Sequence, residues 1–558
     1  MLWAMSTGSS IAGRMMDFPL TVPHLIRRGR EQNGHGEIVT RAADRSIERT
    51  TYGALLKRAA RLSGALARLG VKHEDRVATL CWNHARHFEA YCAIPPMGAV
   101  LHTLNLRLAP DDLAYIANHA EDKVVLVDES LLPLLESFRA KVPSLRHVLV
   151  IRERGSESAP LTGGMLDYEE LLAPEKDDVD YPELDERAAA ILCYTSGTTG
   201  RPKGVMYTHR STFLHSLAIL TADVFGLGHS DTALPVVPLF HANAWGLPYS
   251  CLMAGAKVIF PGPHLDAKSL LELMAGEKVT LAAGVPTIWI GILHLLDQDP
   301  RAYDLSSIRA MVIGGSAAPP SMIDGFQKRH GLTVIHAWGM TEMNPLGTIA
   351  RVKPHLRGKS DDEVLAIRAS QGYPPVLVET RHVDDTGKVL GWDGRAMGEL
   401  EVRGAWVASS YFRDEDANRW TKDGWFKTGD VVTIDADGYI RICDRSKDVI
   451  KSGGEWISSV DLENALMSHP CVLEAAVFAG VHEKWSERPI AAVVLKPGQK
   501  ATEAELAKHL ETKVAKWWLP DAYVFLEQVP RTSTGKFLKT KLRELYGSLL
   551  VKGNAGAK

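Results

Sequence analysis

The sequence predicts an α/β protein with a large N-terminal domain of parallel and mixed sheets covered by helices, a small β-rich subdomain, and a hinge to a small α+β C-terminal domain. Three observations lead there. Short apolar runs rich in β-branched residues alternate with helix-like stretches between residues 77 and 338. Around 400–442 the pattern changes to short strands and Gly/Asp turns, as in DGWFKTGD and DADGYIRI. Beyond DRSKD (444–448) a self-contained unit begins, with its own helix caps and strands.

The apolar runs are VATLCW (77–82), VVLVD (124–128), HVLVI (147–151), AILCYT (190–195), VIF (258–260), TLAAGV (280–285), MVIGG (311–315) and TVIHAW (333–338). Continuous apolar character, without alternation, is what a parallel strand buried on both faces requires. Between them, Tyr52–Leu69 places Leu55, Leu56, Ala59, Leu62 and Leu66 at helical spacing. In the last unit Ser458 and Asp461 cap a helix that runs through Met467 and that Pro470 stops. AAVFAGV and IAAVVLK follow as strands, and Thr502 with Glu505 opens a second helix carrying Leu506, Leu510 and Val514. KTKLR, with Leu538, Leu542 and Leu545 apolar, reads as a solvated basic helix face. The expected division is 1–443, a hinge at 444–447, and 448–558.

At 558 residues the chain is too long for one core. Its 45% hydrophobic and 23% charged residues are those of a soluble protein, and a net charge of −3 gives no field to draw nucleic acid. Cys81, Cys92, Cys193, Cys251, Cys443 and Cys471 form no C-x-x-C pair, which predicts reduced thiols, a cytoplasmic setting and no structural zinc. The N-terminal MLWAMSTGSSIAGRMMDF lacks the apolar core of a signal peptide, and no window resembles a membrane span.

One stretch carries clear chemistry. YTSGTTGRPKGVMYTH (194–209) follows a buried strand and brings glycines, hydroxyls and one lysine together. It fails the Walker pattern, because Lys203 follows Pro202 and precedes Gly204. Gly197 and Gly200 still let backbone N–H groups converge on an anion.

With VPLFHANAWG (237–246), GGSAAP (314–319), WGMTE (338–342), FKTGDV (426–431), DRSKDVIKSGGEWIS (444–458) and PRTSTGK (530–536) in this order, the chain resembles the adenylate-forming superfamily of acyl-CoA synthetases, nonribosomal adenylation domains and luciferase. GGEWISSVDLENAL and AWGLPY are most similar to a bacterial subgroup of fatty acyl-CoA synthetases and methylmercaptopropionate-CoA ligases. The resemblance implies two reactions: a carboxylate attacks the α-phosphate of ATP to give acyl-AMP and pyrophosphate, and the thiol of coenzyme A then displaces AMP. Such chemistry rests on positioning and on charge placed against the phosphates.

The same resemblance implies roles residue by residue. Thr195, Ser196, Gly197, Thr198, Thr199, Gly200 and Lys203 would hold the phosphates, and Glu342 with Thr195 would hold Mg²⁺. Ser316, Ala317, Ala318, His336, Ala337, Trp338, Gly339, Met340 and Thr341 would surround the nucleotide, with Trp338 on adenine, while Asp430 and Arg445 would take the ribose. His241, Ala244, Trp245, Gly246, Gly314, Gly315, Gly339, Met340 and Trp456 would shape the acyl pocket. Trp456 stands where many short-chain relatives have arginine; it is read as a tunnel gate, with packing at the domain seam as the alternative. Lys536 would bridge phosphate and carboxylate during adenylation, and Lys451, Ser452, Gly453 and Gly454 would meet CoA after rotation about Asp444 and Lys447. The catalytic set is therefore Lys536, Lys451, His241, Thr195 and Lys203.

No charged residue appears among the pocket candidates, which predicts an apolar acid, from short- to long-chain or methylthio-substituted. The expected partners are that acid, ATP and CoA, with a homodimer also admitted and no nucleic acid. A carrier-protein-loading enzyme is the nearest alternative, disfavoured by the lack of a carrier segment after Lys558. A non-catalytic adenylate-binding relative is disfavoured by the presence of Lys203, Glu342, Asp430 and Lys536.

Overall fold

The computed structural model describes residues 14–153, 161–195, 201–414, 417–453, 455–531 and 537–551. A seven-stranded sheet runs in the order Leu166–Asp167, His147–Ile151, Val124–Asp128, Arg76–Leu80, Val100–Thr103, Ala189–Tyr194, Gly204–Thr208. It is parallel except for the last strand. An eight-stranded sheet runs Leu346–Ile349, Val334–Gly339, Ala310–Ile313, Leu281–Gly284, Thr232–Pro235, Lys257–Phe260, Glu37–Arg41, Ile47–Thr51, antiparallel at its two edges alone. Every predicted apolar run overlaps one of these strands, several running one or two residues past its end. Leu101, Leu126 and Ile191 of the first sheet share one core with Val258, Leu281 and Val312 of the second. Burial between layers is why these strands read as unbroken apolar runs.

The helix Tyr52–Arg68 starts where the Thr51 hydroxyl accepts the Ala54 N–H, and it buries Leu55, Leu56, Ala59, Leu62 and Leu66. The β-rich stretch is a four-stranded antiparallel sheet of Val378–Val383, Gly398–Gly404, Phe426–Ile434 and Ile440–Arg445.

The C-terminal unit is a five-stranded sheet centred on Ser486–Leu495, with Val472–His482 antiparallel and Ala522–Phe525 parallel to it. Ser458 caps the helix Ser459–Met467 and Thr502 caps Glu503–Leu510, with Glu505 reaching back. Two expectations need correction. The second helix ends at Leu510, so Val514 packs on the core from the following turn. The helix Lys539–Tyr546 is not a solvated basic face: Lys539 pairs with Glu463 at 2.7 Å and donates to the Ser459 hydroxyl, Arg543 pairs with Asp448, and Leu542 is fully buried. Those partners lie on the segment entering the unit, so the helix braces the joint. Asp444 is likewise buried and accepts the Ser459 N–H at 2.6 Å, with burial raising its pKa, whereas Lys447 is exposed. Among the described residues, no helix is long and apolar enough to cross a membrane.

Candidate active site

The C-terminal ends of Ala189–Tyr194, Leu281–Gly284, Ala310–Ile313 and Val334–Gly339 release the loops that carry the predicted motifs. In open parallel sheets that is where ligand crevices form. Residues 196–200, which include Ser196, Gly197, Thr198, Thr199 and Gly200, lie outside the described residues, as do Gly454 and Lys536. The base of the first loop is described. Thr195 N–H donates to Lys203 O, and Lys203 N–H donates to the Thr195 hydroxyl oxygen at 3.1 Å, closing the loop like a clasp.

The segment after Gly398–Gly404 docks beside that clasp, with Phe412 N–H donating to Gly204 O and Ala408 N–H to Glu342 O, both at 2.8 Å. This docking places Tyr411 between two charges. Its hydroxyl donates to Glu342 Oε1 at 2.6 Å, and Lys203 Nζ sits 4.8 Å above its ring while also pairing with Asp414 at 3.2 Å. Burial and the Glu342 carboxylate push the Tyr411 phenol up, so it stays a neutral donor. Glu342 is 4% exposed, and among the described residues no lysine or arginine pairs with it. Tyr207 donates to Thr341 O at 2.6 Å and fixes the adjoining backbone. Tyr207, Tyr411 and Asp414 were not found from the sequence, because what selects them is docking across more than 60 residues.

Asp430 and Arg445 face each other across antiparallel strands and pair at 3.0 Å, Asp430 being buried. Trp338 lies half-buried over Gly347, where a Cβ would come within 2.6 Å of the indole. Gly339 is required for a different reason: a Cβ there would meet the Pro345 carbonyl at 1.9 Å. His336 is buried and its Nδ1–H donates to Ser370 O at 2.8 Å. Ser316 and Ala317 are exposed, whereas Ala318 is buried.

Next to Trp338 lies a cavity of about 60 Å³ bounded by Gly339, Met340 and Thr341 on one side. His241, Ala242, Trp245, Ile219, Phe225, Gly314, Gly315, Ala337, Pro345 and Leu346 complete it. Three predicted pocket residues are elsewhere. Ala244 is fully buried in the inter-sheet core, and Gly246 abuts His215, whose Nδ1 would be 2.6 Å from an added Cβ. Trp456 packs at the domain seam with Val431, Cys443, Val449 and Met397, with Lys451 Nζ 5.2 Å over its ring. Ile219, Phe225, Pro345 and Leu346 were missed, since apolar side chains facing a cavity look like core in a sequence.

The backbone behind Trp245 is unusual. Ala242, Asn243, Ala244 and Trp245 have φ of 43°, 56°, 49° and 57°, followed by Gly246 at 76°. Left-handed backbone costs a non-glycine residue about 1–2 kcal/mol, so the surrounding structure must impose this turn.

In the C-terminal unit, Lys451 is exposed with its N–H on Glu487, the Ser452 hydroxyl accepts from Arg488, and Gly453 has φ of +62° with its N–H on Trp485 O. On either side of residues 532–536, which lie outside the described ones, Arg531 pairs with Glu474 and bridges Phe537, and Lys539 pairs with Glu463. Cys81, His84 and Asp128 also lie within 4.8 Å of one another. His84 Nδ1 accepts the His87 N–H, so Nε2 carries the proton it gives to Asp128 and has no lone pair for a metal.

A family model described as AMP-binding enzyme matches residues 28–412, and one described as AMP-binding enzyme C-terminal domain matches 461–536. The chain belongs to the AMP-binding enzyme family. It is 50% identical over 535 residues to a long-chain-fatty-acid–CoA ligase of Thermus thermophilus, covering 95% of this chain and 96% of that one. It is 45% identical to a medium-chain-fatty-acid–CoA ligase of Ectopseudomonas oleovorans (97% and 99% covered) and 46% identical to a 3-methylmercaptopropionyl-CoA ligase of Ruegeria lacuscaerulensis (96% and 99%). Among solved structures, the anthranilate CoA ligase AuaEII in complex with anthranoyl-AMP superposes with a TM-score of 0.79 at 28% identity, covering 96% of this chain and 98% of that one. The relatives agree with the acid–thiol ligase activity expected from the motifs.

Proposed function

We propose that this AMP-binding enzyme activates an apolar, unbranched carboxylic acid of short to long chain, or a methylthio-alkanoate, in the cavity between Trp338–Thr341 and His241–Trp245. It is an acyl-CoA ligase of the AMP-forming kind, with ATP and CoA as co-substrates. The observation that carries the choice of acid is the cavity's lining: among the described residues, none with a charged side chain faces it. A second carboxylate or an ammonium would be buried there without a partner.

In this reading the acid's carboxylate enters beside His241 and attacks the α-phosphate, held near Thr341, and pyrophosphate leaves toward Lys203 and the loop it closes. Asp430 and Arg445 take the ribose, and Trp338 the base. Glu342 is a buried carboxylate satisfied on one side by a neutral phenol, which fits a hard divalent cation. Mg²⁺, when bound by Glu342 and a remaining lone pair of Thr195, would neutralise triphosphate charge. Lys536 bridges the reacting groups in the first step. Residues 448–558 then turn about Asp444–Lys447, bringing Lys451, Ser452 and Gly453 to CoA, whose thiolate attacks the acyl carbonyl and displaces AMP. Buried free cysteines support a reducing, cytoplasmic setting, and a homodimer remains part of this proposal.

The test is AMP release with and without CoA over a panel of acids. CoA-stimulated AMP release with straight-chain or thioether acids supports the reading. The highest kcat/KM on an amino acid or a dicarboxylic acid would contradict it.

A further inference from the structure

The loop carrying His241 and Trp245 leaves the eight-stranded sheet after Thr232–Pro235, yet side chains belonging to the other sheet and its helix hold it. Asn83, at the exit of Arg76–Leu80, accepts the Leu239 N–H at 2.7 Å and donates to Pro235 O at 3.1 Å and Val237 O at 2.8 Å. Thr103 donates to Phe240 O at 3.3 Å. Tyr91, on the helix Ala85–Ala93, donates to Leu239 O at 2.5 Å, and its hydroxyl stands 3.1 Å from the Asn243 amide oxygen. The Cys193 thiol reaches the same amide at 3.4 Å. All five side chains are buried.

The Tyr91 ring is fixed independently of its hydroxyl. It packs edge-on to His87 at 5.5 Å and against Tyr249 at 5.8 Å, and the Tyr249 hydroxyl donates to the Tyr91 carbonyl. The phenol is therefore a rigid post whose O–H is directed at the residues before and within the left-handed turn. That turn sets where Trp245 stands, against Gly314 and Gly315, and follows directly on His241.

We propose that Tyr91, supported by Asn83 and Thr103, is a positioning residue for the acid site: its hydroxyl holds the left-handed turn Ala242–Trp245 and thereby sets which acids fit. The specificity half of this inference rests on the function proposed above; the positioning half does not. Hydrogen bonds that never touch substrate act here through the shape of a wall, and a wall shifted by a fraction of an ångström changes acid recognition before it changes nucleotide recognition.

Tyr91→Phe deletes only the O–H. The expected result is an acid KM raised about tenfold and a displaced chain-length optimum, with the KM for ATP and CoA within about twofold of the parent. Tyr52→Phe removes an equally buried hydroxyl, donated to the Ala256 carbonyl, that touches neither Tyr91 nor the turn, and it should leave the acid profile unchanged. An activity-independent arm uses fluorotryptophan-labelled protein, with the Trp245 ¹⁹F resonance assigned from Trp245→Phe. Tyr91→Phe should shift or broaden that resonance and leave those of Trp392, beside Gly438, and Trp517, in the C-terminal unit, in place. An unmoved Trp245 signal, or equal changes in KM for acid and ATP, would overturn the proposal. Should Tyr91→Phe not fold, Thr103→Val gives the same readouts with a smaller shift in the same direction, and an unchanged acid profile and Trp245 signal there would overturn it too. If the unaltered enzyme releases no AMP with any acid, the functional reading fails while the ¹⁹F arm still decides the positioning.

Discussion

The two sides of the cavity are built on opposite principles. On the side we assign to the nucleotide, charges stand already paired or braced: Lys203 with Asp414 and the Tyr411 ring, Glu342 with the Tyr411 hydroxyl, Asp430 with Arg445. On the side we assign to the acid there is no charge among the described lining residues, and shape is set by packing and by a left-handed turn. The first design suits a constant ligand of high charge, because pre-oriented groups lose little on binding. The second suits an apolar chain, where each methylene contributes about 0.8 kcal/mol and shape decides the rest. Substitutions on the nucleotide side should therefore cost large factors for every acid, and those on the acyl side smaller factors that depend on the acid.

The largest effect expected is that of Lys536→Ala. A cation lost opposite developing charge costs about 3–4 kcal/mol, so acyl-AMP formation should slow by about 10²–10³-fold. With preformed acyl-AMP, thioester formation should stay within about tenfold of the parent. Single-turnover kinetics of both steps checks this, and equal losses would break the assignment of Lys536 to the first step.

Next comes Tyr411→Phe, which keeps the ring under Lys203 and removes the donor to buried Glu342. A hydrogen bond to a charged group is worth about 1.5–3 kcal/mol, so kcat/KM for ATP should fall by about 10–10² with the acid KM unchanged. Calorimetry of MgATP binding gives the same quantity without turnover.

A pair of tryptophans sharpens the contrast. Trp245→Ala opens the cavity and should move the chain-length optimum toward longer acids by several-fold in kcat/KM. Trp456→Ala, at the domain seam, should leave that profile where it was. A shifted profile for Trp456→Ala would restore it to the acyl tunnel.

A separate prediction concerns pH. Burial pushes His215 down to about 3, and its Nε2 accepts the Leu346 N–H on the acyl wall. A histidine held neutral when folded binds its proton first in the unfolded chain, so its contribution to stability is complete above pH 6.5. It is lost as pH falls from there toward the folded value, by up to about 1.4 kcal/mol per pH unit. Thermal unfolding between pH 7 and 4.5 should show this slope reduced in His215→Gln relative to the parent.

Much of the architecture was legible because its causes are local. Parallel strands buried on both faces must be apolar throughout, and Ser458 and Thr502 announce their helices by cap chemistry. Lys203, Glu342, Thr341, His241 and Trp245 were singled out by motif, and the structure gathers the last three around one cavity. The losses have physical reasons. HANAWG contains a single glycine, so nothing in its propensities signals four non-glycine residues at positive φ; we attribute that conformation to Asn83, Tyr91 and Thr103, which hold the residues just before the turn from the other sheet and its helix. The motif locates Trp456 in the chain but not the face it turns to, which packing against Val431, Cys443 and Val449 decides. The basic helix after Lys536 looked solvated because the buried Glu463 that takes Lys539 lies 76 residues earlier.

The most direct test of the contrast is kcat/KM for acyl-AMP formation along a homologous series of unbranched acids, compared with the same chains ending in a carboxylate or an ammonium. The account predicts a rise of about three- to fourfold per added methylene until the pocket is filled, and a loss of at least about 10² for either charged end. A flat series together with a preference for a charged terminus would contradict it.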